Sequence, residues 1–140
     1  MMKKYYTLES VCDYGFEVFA INSHTKGYKL CWILNQNLGL DFEKAENHKI
    51  NETLSFDRYK SEVINNEAFN LISNRSKRGY MISSYKSINY FLIINKKTHK
   101  TKKQKILDKL REINDILLVF KLDLEKERYG DRFIIHDKKN

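Results

Sequence analysis

The stretch SINYFLIIN, residues 87 to 95, restricts the fold more than any other part of the chain. Read as a strand, it sends Ile88, Tyr90, Leu92 and Ile94 to one face and Asn89, Phe91, Ile93 and Asn95 to the other. A strand with one wet face alternates apolar with polar residues, whereas a strand buried on both faces does not. Apolar side chains on both faces demand cover on both, so this segment is expected at the centre of a layered sheet.

The rest of the chain supplies partners for such a strand. KYYTLESV and FEVFAI are rich in aromatic and branched residues and flank an Asp13-Tyr14-Gly15 turn, so they are expected to be strands that pair as a hairpin. From Thr25 to Leu38 the spacing becomes helical, with Leu30, Leu34 and Leu38 four residues apart and Tyr28, Cys31 and Trp32 widening the stripe. Ser23 or Thr25 is placed to cap this helix, and Gly39 suits the left-handed position beyond its end. LSFDRYKSEV and EAFNLISN read as strands joined through Asn65-Asn66, followed by the basic loop NRSKRGY. A second, amphipathic helix is expected over about residues 102 to 114, on Ile106, Leu107, Leu110 and Ile113. DILLVFKLDL alternates cleanly as a strand, and GDRFIIHDKKN reads as a short strand with a frayed end.

These elements predict an α+β fold over residues 1–140 as one domain: a mainly antiparallel sheet of five to six strands with two helices packed on one face. Two helices cover only one face. Phe91, Ile93, Leu117 and Val119, assigned to the other face, form a candidate dimer interface, and a homodimer is the expected assembly.

No run reaches the ~18 apolar residues of a membrane span, and the first residues lack the apolar segment of a secretion signal. The expectation is a cytoplasmic protein without membrane contact. Two cysteines, Cys12 and Cys31, and four scattered histidines match no zinc spacing or disulfide framework, so no metal or cofactor is expected. Catalysis is not expected either, because no G-x-S-x-G serine or phosphate-cradling glycine loop is present.

A net charge of +8 suggests an anionic partner: RNA, an acidic protein surface or a phosphorylated ligand. A bland account competes with it: Lys far outnumbers Arg in a chain rich in Asn and Ile, as AT-rich codons alone would produce. The densest cations, Lys96, Lys97, Lys100, Lys102, Lys103 and Lys105, crowd a loop and a helix start. Arg75, Lys77 and Arg78 in the other basic loop extend this patch if the two loops meet. On the first helix, Tyr28 and Trp32 lie four apart, which suits core packing more simply than a ligand wall. Asn35 is read as a polar staple to nearby backbone, with ligand binding as the alternative.

The segment Ile82-Ser83-Ser84-Tyr85-Lys86-Ser87-Ile88-Asn89-Tyr90 resembles the motif that names the IPExxxVDY family, small proteins of Bacteroidetes without an assigned activity. Ile82 and Tyr90 match that motif and Ile88 stands for its Val. The helix Tyr28-Lys29-Leu30-Cys31-Trp32-Ile33-Leu34-Asn35 is similar to the family's Y-x-L-x-W-x-L-N, and Phe16-Glu17 with Ala20-Ile21 to its early strand. Ser83-Ser84 replaces Pro-Glu, and Asn89 replaces the Asp. Any acid–base or metal chemistry that relatives perform with those carboxylates is therefore lost here, while a role in turn formation tolerates the exchange. The resemblance implies a lineage and no mechanism. The function expected from the sequence is non-catalytic binding or interaction, with polyanion binding as the more specific alternative and a small-molecule enzyme as the weaker one.

Overall fold

A computed structural model describes residues 15–62, 68–95 and 100–135. The first expected strand and its hairpin turn up to Tyr14, the Asn65-Asn66 turn and the charged tail from His136 lie outside these residues. The described elements are β1 (Phe16–Asn22), α1 (Gly27–Leu38), β2 (Glu43–Lys44), β3 (His48–Lys49), β4 (Ser55–Phe56), β5 (Arg58–Glu62), β6 (Ala68–Ser73), β7 (Arg75–Ser76), β8 (Gly79–Tyr80), β9 (Tyr90–Asn95), α2 (Lys100–Glu112) and β10 (Leu118–Lys121). Six strands form the main sheet, in the order β10, β1, β9, β6, β5, β2, and every neighbouring pair is antiparallel. The fold is α+β. β9 lies inside this sheet between β1 and β6, as its two-sided apolar pattern requires.

Register divides the side chains into two sets. Phe19 and Ile21, Phe69 and Leu71, and Tyr90, Leu92 and Ile94 share one buried cluster with Leu30, Cys31, Ile33 and Leu34 of α1 and Ile106, Leu107 and Leu110 of α2. Val18, Ala20, Ile72, Phe91 and Ile93 belong to a second cluster with Phe56, Met81, Ile82, Ile88, Leu122 and Phe133. Segments outside the two α-helices thus cover the second face: the β3–β4 hairpin, the segment before β9, and the segment after β10.

This overturns the expected dimer face. Phe91 and Ile93 are 0% and 4% exposed within the single chain. Phe133 packs edge-on against Phe91 with ring centroids 4.9 Å apart. Val119 is buried too, but on the helix side, because it pairs with Ile21 while Phe120 pairs with Ala20. Shifting parity by one residue exchanges the faces of a strand, and parity between distant strands is fixed only by pairing. Leu117 remains exposed, next to Leu118 at the start of the edge strand β10.

The covering segments are tied down by polar contacts. The Arg132 guanidinium donates to the carbonyls of Tyr80 and Met81, each at 3.0 Å, and lies over the Tyr129 ring. His48 Nε2 contacts the Arg132 carbonyl. The expected short strand here is instead a single turn of 3-10 helix, Gly130–Phe133, which points Phe133 inward.

Local signals explain the ends of α1. Gly39 adopts φ 65°, the left-handed region glycine enters without strain, and its N–H reaches the Asn35 carbonyl. At the start, neither Ser23 nor Thr25 caps the helix through its side chain; Lys26 occupies the cap position with extended backbone. Gly27 follows against the ring of Tyr59, where a Cβ would come within 2.5 Å of the phenol oxygen. α2 begins two residues before the expected start, at Lys100.

Truncating Phe133 to Ala removes the ring that closes the second face over Phe91. The expected loss is about 3–4 kcal/mol in urea unfolding, the usual cost of deleting a buried phenyl group. A loss below about 1 kcal/mol would show that this face does not depend on the C-terminal cover.

Candidate functional site

The end of the sheet formed by the close of β1, the start of β9 and the close of β6 gathers four loops. Ser23, 1% exposed, holds three of them together. Its N–H donates to Asn89 Oδ1 at 2.8 Å, and its hydroxyl donates to the Asp115 carbonyl at 2.6 Å and accepts the N–H of Thr25 at 3.3 Å. Tyr90 adds a hydrogen bond from its hydroxyl to the Thr25 carbonyl. Just past the neighbouring strand β6, fully buried Asn74 donates to the carbonyls of Tyr85 and Ile88 and accepts the N–H of Ile82. The serine-rich turn Ser83–Tyr85 is a 3-10 turn held by these bonds. Ile82, Ile88 and Tyr90 are buried, and Asn89 spends its side-chain oxygen on Ser23. The motif residues therefore shape the turn that feeds the central strand.

α1 starts at this end and carries its two aromatic residues outward. Tyr28 is 69% exposed and Trp32 62% exposed, which corrects the expectation that they pack in the core. The helix buries Leu30, Cys31, Ile33 and Leu34. At about 100° per residue, Trp32 falls roughly opposite Leu30 and Leu34, and Tyr28 lies on the same outward side. Asn35 sits on the flank between, where its Oδ1 accepts the Phe42 N–H at 2.7 Å and its Nδ2 approaches the Phe42 carbonyl at 3.4 Å.

Three hollows follow one another along this margin. The first, about 460 Å³, is lined by His24, Lys26, Tyr28, Lys29, Asp115 and Leu117 among others. The second, about 300 Å³, shares His24, Thr25 and Lys26 with it and adds Arg75, Tyr80 and Lys86. The third, about 390 Å³, shares Arg75 and adds Lys77 and Arg78 of the β7–β8 turn. Residues distant in sequence thus make one basic margin with exposed aromatics beside it.

Arg75, Lys77 and Arg78 belong to this margin, but the other basic segment does not join them. β9 runs from Tyr90, paired with Ser73 and Ile21, to Asn95, paired with Phe16. At about 3.3 Å per residue its ends are roughly 17 Å apart. The start of α2 is anchored at the far end: Lys103 bonds Glu17, whose other oxygen accepts Lys121 Nζ at 2.9 Å. Glu17 pairs with Ile94, so this triad sits at the end of the sheet opposite Arg75. Lys103 is therefore committed to folding, which corrects its assignment to a polyanion site. Lys102 and Lys105 are exposed on the same α2 start, Lys100 begins that helix, and Lys96 and Lys97 lie outside the described residues.

The titrations shifted most are structural. Burial pushes the Cys31 thiol up to about 12. Burial also pushes the Tyr90 phenol up to about 12, with Tyr59, Cys31 and Asp57 adding to it. Both groups stay protonated and inert at neutral pH. No cluster of three His, Cys, Asp or Glu side chains suited to a metal ion occurs among the described residues. No described helix is long and apolar enough to cross a membrane.

No protein-family model matches the chain, and no curated protein matches it. The site has to be read from its own chemistry. Sequence reading missed Lys26, Lys29 and Lys86, because each is isolated among uncharged neighbours and only folding brings them toward Arg75. The available signal was the helical wheel, which puts Tyr28, Lys29 and Trp32 on the outward side of α1.

Glu17 provides a pH test of the opposite end. Burial alone raises its pKa, but the hydrogen bonds and charges of Lys103 and Lys121 outweigh burial and leave it below the ordinary value of 4.5. A lowered folded-state pKa contributes stability that is present above the ordinary value and lost as pH falls through the folded value. Wild type is thus expected to lose stability below pH 4.5 more steeply than Glu17→Gln. Parallel denaturation profiles for the two proteins below that pH would contradict the triad.

Proposed function

We propose that this domain acts by binding, and that its ligand is single-stranded nucleic acid held along the margin from Trp32 to Arg78. The observation that carries this reading is the exposure of Tyr28, which lines the first hollow with Lys26 and Lys29, and of Trp32 one helical turn further along α1. Exposed aromatic rings one helical turn apart offer faces on which unpaired bases stack, worth about 1–3 kcal/mol per base. The flanking cations neutralise phosphates and release counterions. Bases inside a duplex are already stacked on each other, so the aromatic faces favour an unpaired strand.

Charge at this margin has no structural task that competes with binding. Lys26, Lys29, Arg75, Lys77, Arg78 and Lys86 make no ion pair within 4.0 Å among the described residues, unlike Lys103 and Lys121. Asp115 is the one carboxylate lining the first hollow, and its backbone carbonyl already serves Ser23. A second reading is an acidic protein partner, favoured by Leu117 and Leu118, which lie exposed at the start of β10 beside the same hollow.

Trp32 is the chain's single tryptophan, so its fluorescence reports directly on the proposed site. Titration with an oligouridylate at low salt is expected to quench it. Engagement of Lys26, Lys29, Arg75 and Lys86 predicts a slope of log affinity against log salt of roughly −3. Lys26→Gln with Lys29→Gln should weaken binding about tenfold, while Lys102→Gln with Lys105→Gln at the far end should leave it nearly unchanged. Absent quenching, or affinity indifferent to salt, would reject the nucleic-acid reading in favour of the protein partner.

A further inference from the structure

The third hollow has a composition of its own. The β3–β4 hairpin and the residues flanking it contribute Asn47, Thr53, Ser55 and Asp57, and β7 with the turn after it contributes Arg75, Ser76, Lys77 and Arg78. Three cations and one carboxylate leave two net positive charges around about 390 Å³. No aromatic side chain lines it, so it offers no base-stacking face. Both walls are held locally: Ser76 Oγ accepts the Arg78 N–H at 3.2 Å, and Asn51 Oδ1 accepts the N–H groups of Thr53 and Leu54 at 2.9 and 3.0 Å. The cations are thus presented on a tight turn opposite a polar wall, while the aromatic residues lie along the other hollows.

We infer that this hollow is a seat for a phosphate monoester. The inference deepens the nucleic-acid reading and rests on it for the larger ligand. A monoester carries close to two negative charges at neutral pH, with a second pKa near 6, and presents three acceptor oxygens. Two net positive charges match that dianion. A backbone diester carries one charge and two free oxygens and leaves a cation unmatched. Arginine forks suit such an oxygen cluster, and the Ser55 hydroxyl and Asn47 amide supply neutral donors on the opposite wall. Because this hollow and the second one share Arg75, a strand in the second hollow has its end beside the seat. The same chemistry comes from a strand terminus or from a free mononucleotide.

The experiment separates these sources. Oligouridylates of one length, carrying a phosphate at the 5′ end, the 3′ end or neither, are titrated by Trp32 fluorescence, and uridine monophosphate alone is titrated by amide shifts of Arg75–Arg78. A strand terminus is the source if phosphorylation of either end strengthens binding about tenfold at pH 7.5. That gain should disappear in Lys77→Gln with Arg78→Gln and shrink below pH 6, as the second ionisation reverses. A free nucleotide is the source if uridine monophosphate shifts those amides with the same variant and pH dependence while terminal phosphorylation changes nothing. Equal affinity for all three strands together with no such shift would overturn the seat while leaving strand binding intact. Mononucleotide binding without strand binding would keep the seat and remove the strand reading.

Discussion

Burial of β9 on both faces is the constraint on which the rest of the molecule depends. A strand carrying Phe91 and Ile93 on one side and Leu92 and Ile94 on the other cannot be left half covered, since each fully buried large apolar side chain contributes about 1.5–3 kcal/mol. Helices α1 and α2 supply one layer. The other comes from irregular segments whose only shared property is a large apolar anchor: Phe56 in the β3–β4 hairpin, Met81 and Ile82 before β9, and Phe133 after β10. Irregular backbone carries polar groups that helices satisfy internally, so this layer needs the Arg132 and Asn74 hydrogen bonds to stay down.

The same polar contacts decide where function can reside. Ser23, Asn74 and Asn89 fasten the loops at one end of the sheet by bonds to buried backbone, and this frees the neighbouring side chains to face solvent. At the other end, Glu17 engages Lys103 and Lys121, so cations there hold α2 against the sheet. Positive charge is abundant at both ends but has different work. Among the described residues, only at the Ser23 end does it accompany exposed aromatic rings, and a rigid scaffold under adaptable long side chains is a favourable arrangement for a binding surface.

Much of the fold was legible because its signals are local. The two-sided pattern of residues 88 to 94, the leucine spacing of α1 and Gly39 at its end each depend on a few neighbouring residues, and each has its expected place. What depends on long-range pairing was not legible. Val119 and Phe91 looked like one face, yet strand register puts them on opposite faces. The cover provided by Phe133 needs a chain reversal that no local rule announces. At the candidate site, Trp32 was readable from its angle on the helix, although its identity suggested the core. The lysine run from 96 to 105 drew attention by density, whereas the margin gathers Lys26, Lys29, Arg75 and Lys86 across some sixty positions of sequence.

The proposed ligand meets one end of the sheet and not the other. An amide ¹H–¹⁵N correlation spectrum recorded during titration with a short single-stranded oligonucleotide reads this residue by residue. Binding at the Ser23 end predicts shifts concentrated at His24–Trp32, Arg75–Tyr80 and Lys86–Asn89, with Glu17 and the first turn of α2 unmoved. Shifts confined to α2 and the Glu17 end, or none at millimolar oligonucleotide, would contradict it.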